Sequence, residues 1–168
     1  MKTILTRLKT LVDNSNNSGN ILEYVKSFEV IHPELDLTVN SVAAFPRIAF
    51  VPVSTIEEWV ASQRKQASNI VIAYLMLRYH ASEASILGDS MRPGGHGKGI
   101  LDFVADFISV VRGHRLSLAG ETYLDKPLDI TNVEYMREEI AGGAHMLVAA
   151  VTMECTRLLT QSSLPGDV

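Results

Sequence analysis

Cysteine is almost missing from this sequence. The one residue present, Cys155, excludes an internal disulfide and suits a reducing compartment. It stands in an apolar stretch and reads as a small core residue. Long hydrophobic runs are missing as well: the longest, Ile70 to Leu77, falls far short of the roughly 20 residues that a membrane-spanning helix needs. The start, Met1-Lys2-Thr3-Ile4-Leu5-Thr6-Arg7, carries charge in its first turns and lacks the apolar block of a signal peptide. The expectation is a soluble protein, cytoplasmic when first made and without a membrane partner. An excess of one charge is also lacking. A net charge of -4 over 168 residues gives no strong positive field, so no specific nucleic-acid recognition is expected.

Signatures of catalysis and metal binding are equally scarce. The five histidines, His32, His80, His96, His114 and His145, never fall three or four residues apart, and none belongs to an HExxH-type pair. Glu57-Glu58 and Glu138-Glu139 are adjacent carboxylates. Neighbouring side chains diverge on a helix and oppose one another on a strand, so neither pair forms an acid–base dyad by itself. No serine sits in a Gly-x-Ser-x-Gly elbow. We therefore expect no enzyme, no catalytic residue, no cofactor and no metal ligand.

The nearest approach to a chemical motif is Arg92-Pro93-Gly94-Gly95-His96-Gly97-Lys98-Gly99. Glycine amides ahead of a helix can cradle phosphate. A phosphate-binding loop, however, has glycine where Arg92 stands and serine or threonine where Gly99 stands. A surface loop, or a basic arm that orders against a partner, fits these residues better. A small nucleotide-binding protein remains a minor alternative.

What is present is an ordinary globular composition, 46% hydrophobic and 20% charged, enough for one domain over 1–160 with a loose tail at 161–168. Helical spacing of Ile4, Leu8, Leu11 and Val12 predicts a helix over 2–13. The polar run Asp13 to Asn20 predicts an exposed loop. Strands are predicted over 21–31 and 47–53, with 34–46 irregular between them and Pro52 marking an edge or an end. Residues 55–66 fit a helix or an extended polar arm. Residues 69–80 are apolar on both alternating faces and predict a strand buried on both sides. Residues 85–98 read as a loop. Ile100, Phe103, Val104, Phe107, Ile108 and Val111 predict an amphipathic helix over 99–112, stopped by Gly113. Two arms, 129–139 and 144–158, read as a β-hairpin turning at Gly142-Gly143, although the Ala- and Met-rich second arm also suits a helix. The fold class is α+β: a mixed, mainly antiparallel sheet with its helices on one face and a C-terminal hairpin.

Strands 69–80 and 144–153 together offer more apolar surface than two short helices can cover. Either the hairpin and helix 99–112 cover all of it, or sibling subunits supply the missing cover, since uncovered strand surface is an association site; the second is the expectation adopted.

This layout resembles the tail terminator and tail-completion proteins of long-tailed bacteriophages across roughly residues 3–158. The resemblance is carried by the helix Ile4–Val12, the strand Phe45-Pro46-Arg47-Ile48-Ala49-Phe50-Val51-Pro52 and the polar Gln63-Arg64-Lys65 lead into strand 69–79. The helix Lys98-Gly99-Ile100-Leu101-Asp102-Phe103-Val104-Ala105-Asp106-Phe107-Ile108 and the closing hairpin 129–158 complete it. The resemblance implies a virion protein of the tail and neck, with no catalytic residues. It would form a homo-oligomeric ring, usually a hexamer, on the last ring of the tail tube, stop tube growth and present a docking surface for head–tail connector or neck proteins. The expected contact regions are the edge of strand 47–53, the arm 57–66 and the loop 85–98, with Arg47, Arg64, Lys65, Arg92 and Lys98 as candidate assembly contacts. A head–tail connector or baseplate subunit is the alternative within the same class.

Overall fold

The computed structural model describes residues 1–31, 45–61, 64–79, 84–88, 97–118, 120–140 and 144–160. The irregular stretch expected at 34–46 lies mostly outside these residues, as do His32, His80, His96, Arg92, the turn at Gly142-Gly143 and the tail.

The architecture is α+β. Helix α1 (Lys2–Asn14) is followed by strands β1 (Ser27–Val30), β2 (Arg47–Ala61) and β3 (Arg64–Tyr79), the short helix α2 (Ala84–Leu87), helix α3 (Ile100–Val111), and strands β4 (Asp129–Ile140) and β5 (Ala144–Thr160). The strands form one sheet in the order β1-β2-β3-β5-β4. β1 runs parallel to β2, and every other pairing is antiparallel.

One face of the sheet carries the helices. Ile4, Leu5, Leu8 and Val12 of α1 and Phe103, Val104, Phe107 and Val111 of α3 pack on Ile48, Phe50, Val71, Ala73, Leu75, Ala149, Val151 and Met153. This is the half of each alternating strand that points toward the helical stripe. Residues of the other parity form a second cluster on the opposite face: Ala49, Val51, Met76, Met146 and Val148, with Ile31, Phe45, Tyr74 and Met136. The two-sided burial expected of strand 69–80 is thus seen along β3, and β5 shares it. It is reached within the single chain, so the apolar surplus of strands 69–80 and 144–153 expected to need cover from sibling subunits is not found there. β5 is a strand despite its alanines and methionines, because pairing on both sides and burial on both faces outweigh a helix preference of a few tenths of a kcal/mol per residue.

Three local expectations need correction. The strand expected at 21–31 is only Ser27–Val30. Residues 21–24 are turns, and Asn16 Nδ2 donates to the carbonyls of Leu22 and Val25 at 2.6 and 2.7 Å. Leu22, Tyr24 and Val25 therefore reach the core from a pinned turn, without strand alternation. Strand 47–53 does not stop near Pro52. It continues to Ala61, with the register shifting between Pro52 and Ser54. Pro52 lies beyond Phe50, the last β2 position in the β1 ladder, so its missing N–H takes no bond from that pairing. The loop expected at 85–98 contains α2 at its start. Of residues 55–66, open between helix and arm, 55–61 and 64–66 are extended strand.

Candidate assembly surface

β2 and β3 outrun the rest of the fold. Arg47 to Val51 are buried, whereas every side chain from Thr55 to Ala61 is exposed, whichever face it points to. Three of the exposed residues in this part of β2 are large and apolar, Ile56, Trp59 and Val60, and Val53 just before it is a fourth; Trp59 is 61% exposed. We call residues 54–61 and their β3 partners the arm.

The arm is held as a strand by its inner side. Thr55 Oγ1 donates to Asn69 Oδ1 at 2.9 Å, and Asn69 Nδ2 donates to the Cys155 carbonyl at 3.4 Å, tying β2, β3 and β5 together. Nearer the tip, Lys65 Nζ stands 3.4 Å from Glu57 Oε2 and 4.9 Å from the Trp59 ring centroid. These groups sit on the helix-bearing face, since β3 residues Val71, Ala73 and Leu75 of the same parity belong to the core beneath the helices. On the opposite face Ile56, Glu58, Gln66, Ser68, Ile70 and Glu154 line a concavity of about 320 Å³. A second hollow, of about 480 Å³, lies where β4 begins. Arg112, Lys126, Asp129 and Glu154 bring both charge signs to its lining, so it presents no one-signed field to a ligand.

Among the described residues both outer edges of the sheet lack a partner over long spans. β1 lies beside β2 only along Arg47–Phe50, with Ile31 N–H donating to the Phe50 carbonyl at 3.0 Å. From Val51 onward, no strand among the described residues pairs with that side of β2. At the other end β4 pairs with β5 alone among the described residues, and Tyr135 stands 53% exposed on it.

The candidate contacts fall in different places. Arg64 and Lys65 come together at the arm tip. Arg47 is buried at 2% exposure, and its Nε donates to Glu29 Oε1. Its guanidinium faces the interior and not solvent. Lys98 precedes α3 and pairs with Asp106 at 3.0 Å, over the Tyr24 ring. Arg92 lies outside the described residues. The apolar arm residues Ile56, Trp59 and Val60 were passed over in the sequence, because the charged residues around them suggested a polar segment. Their signal was alternation: with Glu57 and Glu58 between them, large apolar groups recur on both faces of one extended stretch.

The glycine-rich approach to α3 has a steric explanation. A Cβ on Gly99 would collide with the backbone of Gly88 and Ile86, and one on Gly88 would meet the Asp102 carboxylate and the Gly97 carbonyl. Gly88 also has φ +87°, a region that favours glycine. The chain crosses itself closely there. Gly99 N–H donates to Asp102 Oδ2 at 3.2 Å, so a carboxylate already occupies the helix start where a phosphate would bind.

Among the described residues no cluster of three or more His, Cys, Asp or Glu side chains could hold a metal. No helix among them is long and apolar enough to cross a membrane. Two groups have displaced acidity. Burial, then the hydrogen bond to Asp106, holds the Tyr24 hydroxyl far above its ordinary range. Burial pushes the Cys155 thiol up to about 12. Neither Tyr24 nor Cys155 lines the two hollows described above. No protein-family model matches the chain, and no curated protein matches it.

Proposed function

We propose that this chain is a structural assembly protein, a tail terminator of a long-tailed bacteriophage. It would form a ring on the end of the tail tube, halt tube polymerisation and offer its outer surface to the head or neck. The observation that carries the assembly reading is the arm. Residues 55–61 expose Ile56, Trp59 and Val60 from a strand with an open backbone edge. A lone protein gains nothing from wetting those groups, whereas a neighbour that covered them would remove apolar area worth roughly 25 cal/mol per Å² and satisfy the ladder. The phage assignment draws on the order of elements set out for the resemblance. The mechanism is binding without chemistry: modest contacts repeated around a closed ring add up, and closure limits growth.

Light scattering of the purified protein, alone and with tail-tube protein, tests this reading. The expected result is a discrete ring and a stable association with tube ends. A strict monomer at all concentrations that ignores tube would overturn it. In cells lacking the protein, overlong tails are expected; normal-length tails without heads would instead identify a head–tail connector.

A further inference from the structure

The two edges left without a partner among the described residues belong to opposite ends of one sheet, and their geometry is complementary. We infer that the free edge of β2, from Val51 to Ala61, takes β4 of a second copy of this chain as an added antiparallel strand. This inference rests on the assembly reading above and names the surfaces that carry it.

Four observations point to the second copy. The first is strand sense. β2, β3, β5 and β4 are joined by antiparallel pairings throughout, so β2 and β4 run in opposite senses. A copy moved sideways in the same orientation brings its β4 antiparallel to β2 and keeps all helices on one side of the joined sheet. The second is length. The free span of β2 runs from Val51, just past the β1 ladder, to Ala61, and β4 runs from Asp129 to Ile140, so one fills the other. The third is face. Trp59 pairs with Lys65, and Tyr135 with the core residue Ala149. The parity of both pairings places these two exposed aromatics on the helix-bearing side, so β2 and β4 bring matching faces to the junction. The fourth is charge: the exposed carboxylate of Asp129 arrives at the arm tip, beside the exposed guanidinium of Arg64.

β1 sets the register. It ends at Val30 beside Phe50, so the incoming strand must stop there. Full overlap above that ledge places Ser54 opposite Met136, Ile56 opposite Glu134 and Glu58 opposite Asn132. Registers two residues away set Glu58 against Glu134 or leave the strands partly unpaired, and like charges directly opposite are unfavourable. In its own chain Asp129 lies level with Glu154, whereas Ala61 lies level with Thr160 through Arg64. Each copy is therefore displaced along the strands by about six residues, roughly 20 Å. Strand tilt absorbs such a stagger in a closed ring.

Disulfide trapping tests the pairing. Single-cysteine proteins at Ser54, Ile56 and Glu58 are mixed under mild oxidation with proteins carrying cysteine at Met136, Glu134 and Asn132. Directly opposite Cβ atoms fall within disulfide reach, and diagonal ones do not. The native Cys155 is fully buried and stays out of the reaction. The expected result is a covalent dimer for 54 with 136, 56 with 134 and 58 with 132, and loss of product for the other combinations. A pattern rising in parallel along both strands, or one shifted along them, overturns the inference. Light scattering on the same samples separates the two ideas. Oligomers without these cross-links overturn the strand pairing and leave the assembly reading standing. Monomers without cross-links overturn both.

Discussion

Tyr24 donates its hydroxyl to Asp106 Oδ2 at 2.9 Å, fastening the pinned turn after α1 to the middle of α3. The same carboxylate oxygen takes Lys98 Nζ at 3.0 Å. One acidic group thus gathers three separated parts of the chain. Tyr24 is buried and its ring meets Phe103 edge-on at 5.6 Å, so Tyr24→Phe removes the hydrogen bond and keeps most of the packing. The expected cost is about 2 kcal/mol, since the acceptor is charged. Urea unfolding at neutral pH measures it. Asp106→Asn keeps an acceptor for Tyr24 and loses the ion pair to the partly exposed Lys98, with a smaller expected cost of about 0.5–1 kcal/mol.

The same pair predicts an alkaline limit. Burial, then the bond to Asp106, raises the folded-state pKa of Tyr24 above its ordinary value of 10.0. The unfolded chain then loses this proton before the folded one does. Stability from Tyr24 is complete below about pH 10 and declines as pH rises above it. Urea midpoints between about pH 8 and 11 should fall for the native sequence and fall less for Tyr24→Phe. Equal slopes would show that Tyr24 ionises as readily in the fold as outside it.

Arg47 and Glu29 make a different kind of pair. The guanidinium is 2% exposed, and its Nη1 has no hydrogen-bond partner, while Glu29 retains 29% exposure. Removing Glu29 alone strands a buried charge, so Glu29→Ala should cost about 3 kcal/mol. Replacing both partners with apolar groups of similar size, Arg47→Met with Glu29→Leu, should cost clearly less than either single change. A double-mutant cycle by chemical unfolding checks this, and strictly additive costs would show that the pair is not coupled.

How much of this was legible beforehand depends on what each segment answers to. α3 was readable because Ile100, Phe103, Val104, Phe107 and Val111 make one helical stripe against one surface, a local pattern with a local cause. β3 was readable for the same reason, being apolar on both parities. Leu22, Tyr24 and Val25 misled, because their burial comes from a turn held by Asn16, and a side-chain amide reaching two carbonyls leaves no periodic trace. Pro52 left an edge or an end open. The strand does not end there, and Pro52 sits beside a bulge past the last β1 partner, where β2 is an edge among the described residues. The glycines at 88 and 99 looked like a ligand cradle and answer instead to a chain crossing. Of the candidate site, the cations at the arm tip were visible as charge. The arm's apolar groups became visible only in the exposure of Ile56, Trp59 and Val60 in the fold.

Gly99→Ala tests the crossing directly. The new methyl group would press on backbone atoms of Gly88 and Ile86, which cannot swing away as a side-chain end could. The start of α3 must shift or α2 must be displaced, and the expected loss is about 2–4 kcal/mol, in the range of severe core overpacking. Thermal unfolding measures it. Lys98→Ala, one residue away, should cost under about 1 kcal/mol, as expected for a partly exposed ion pair. A similar loss from both would mean that the segment is sensitive for some reason other than close contact.

Trp59 separates folding from assembly. It is 61% exposed, and in the lone chain its notable neighbour is the Lys65 ammonium above its ring. Trp59→Ser therefore forfeits an exposed cation–π contact and little else, about 0.5–1 kcal/mol of stability. At a subunit boundary the same indole would be covered on both sides. Truncating a central aromatic there costs about 2 kcal/mol or more of binding energy, which is roughly a thirtyfold weaker association. The expected outcome is a protein with nearly unchanged thermal unfolding that stays dissociated at concentrations where the native chain assembles. Sedimentation velocity across a dilution series reads the second quantity, and calorimetric unfolding of the dissociated protein reads the first. If Trp59→Ser assembled as the native chain does, the arm would not be the contact. If it unfolded early, the indole would be serving the fold and not a neighbour.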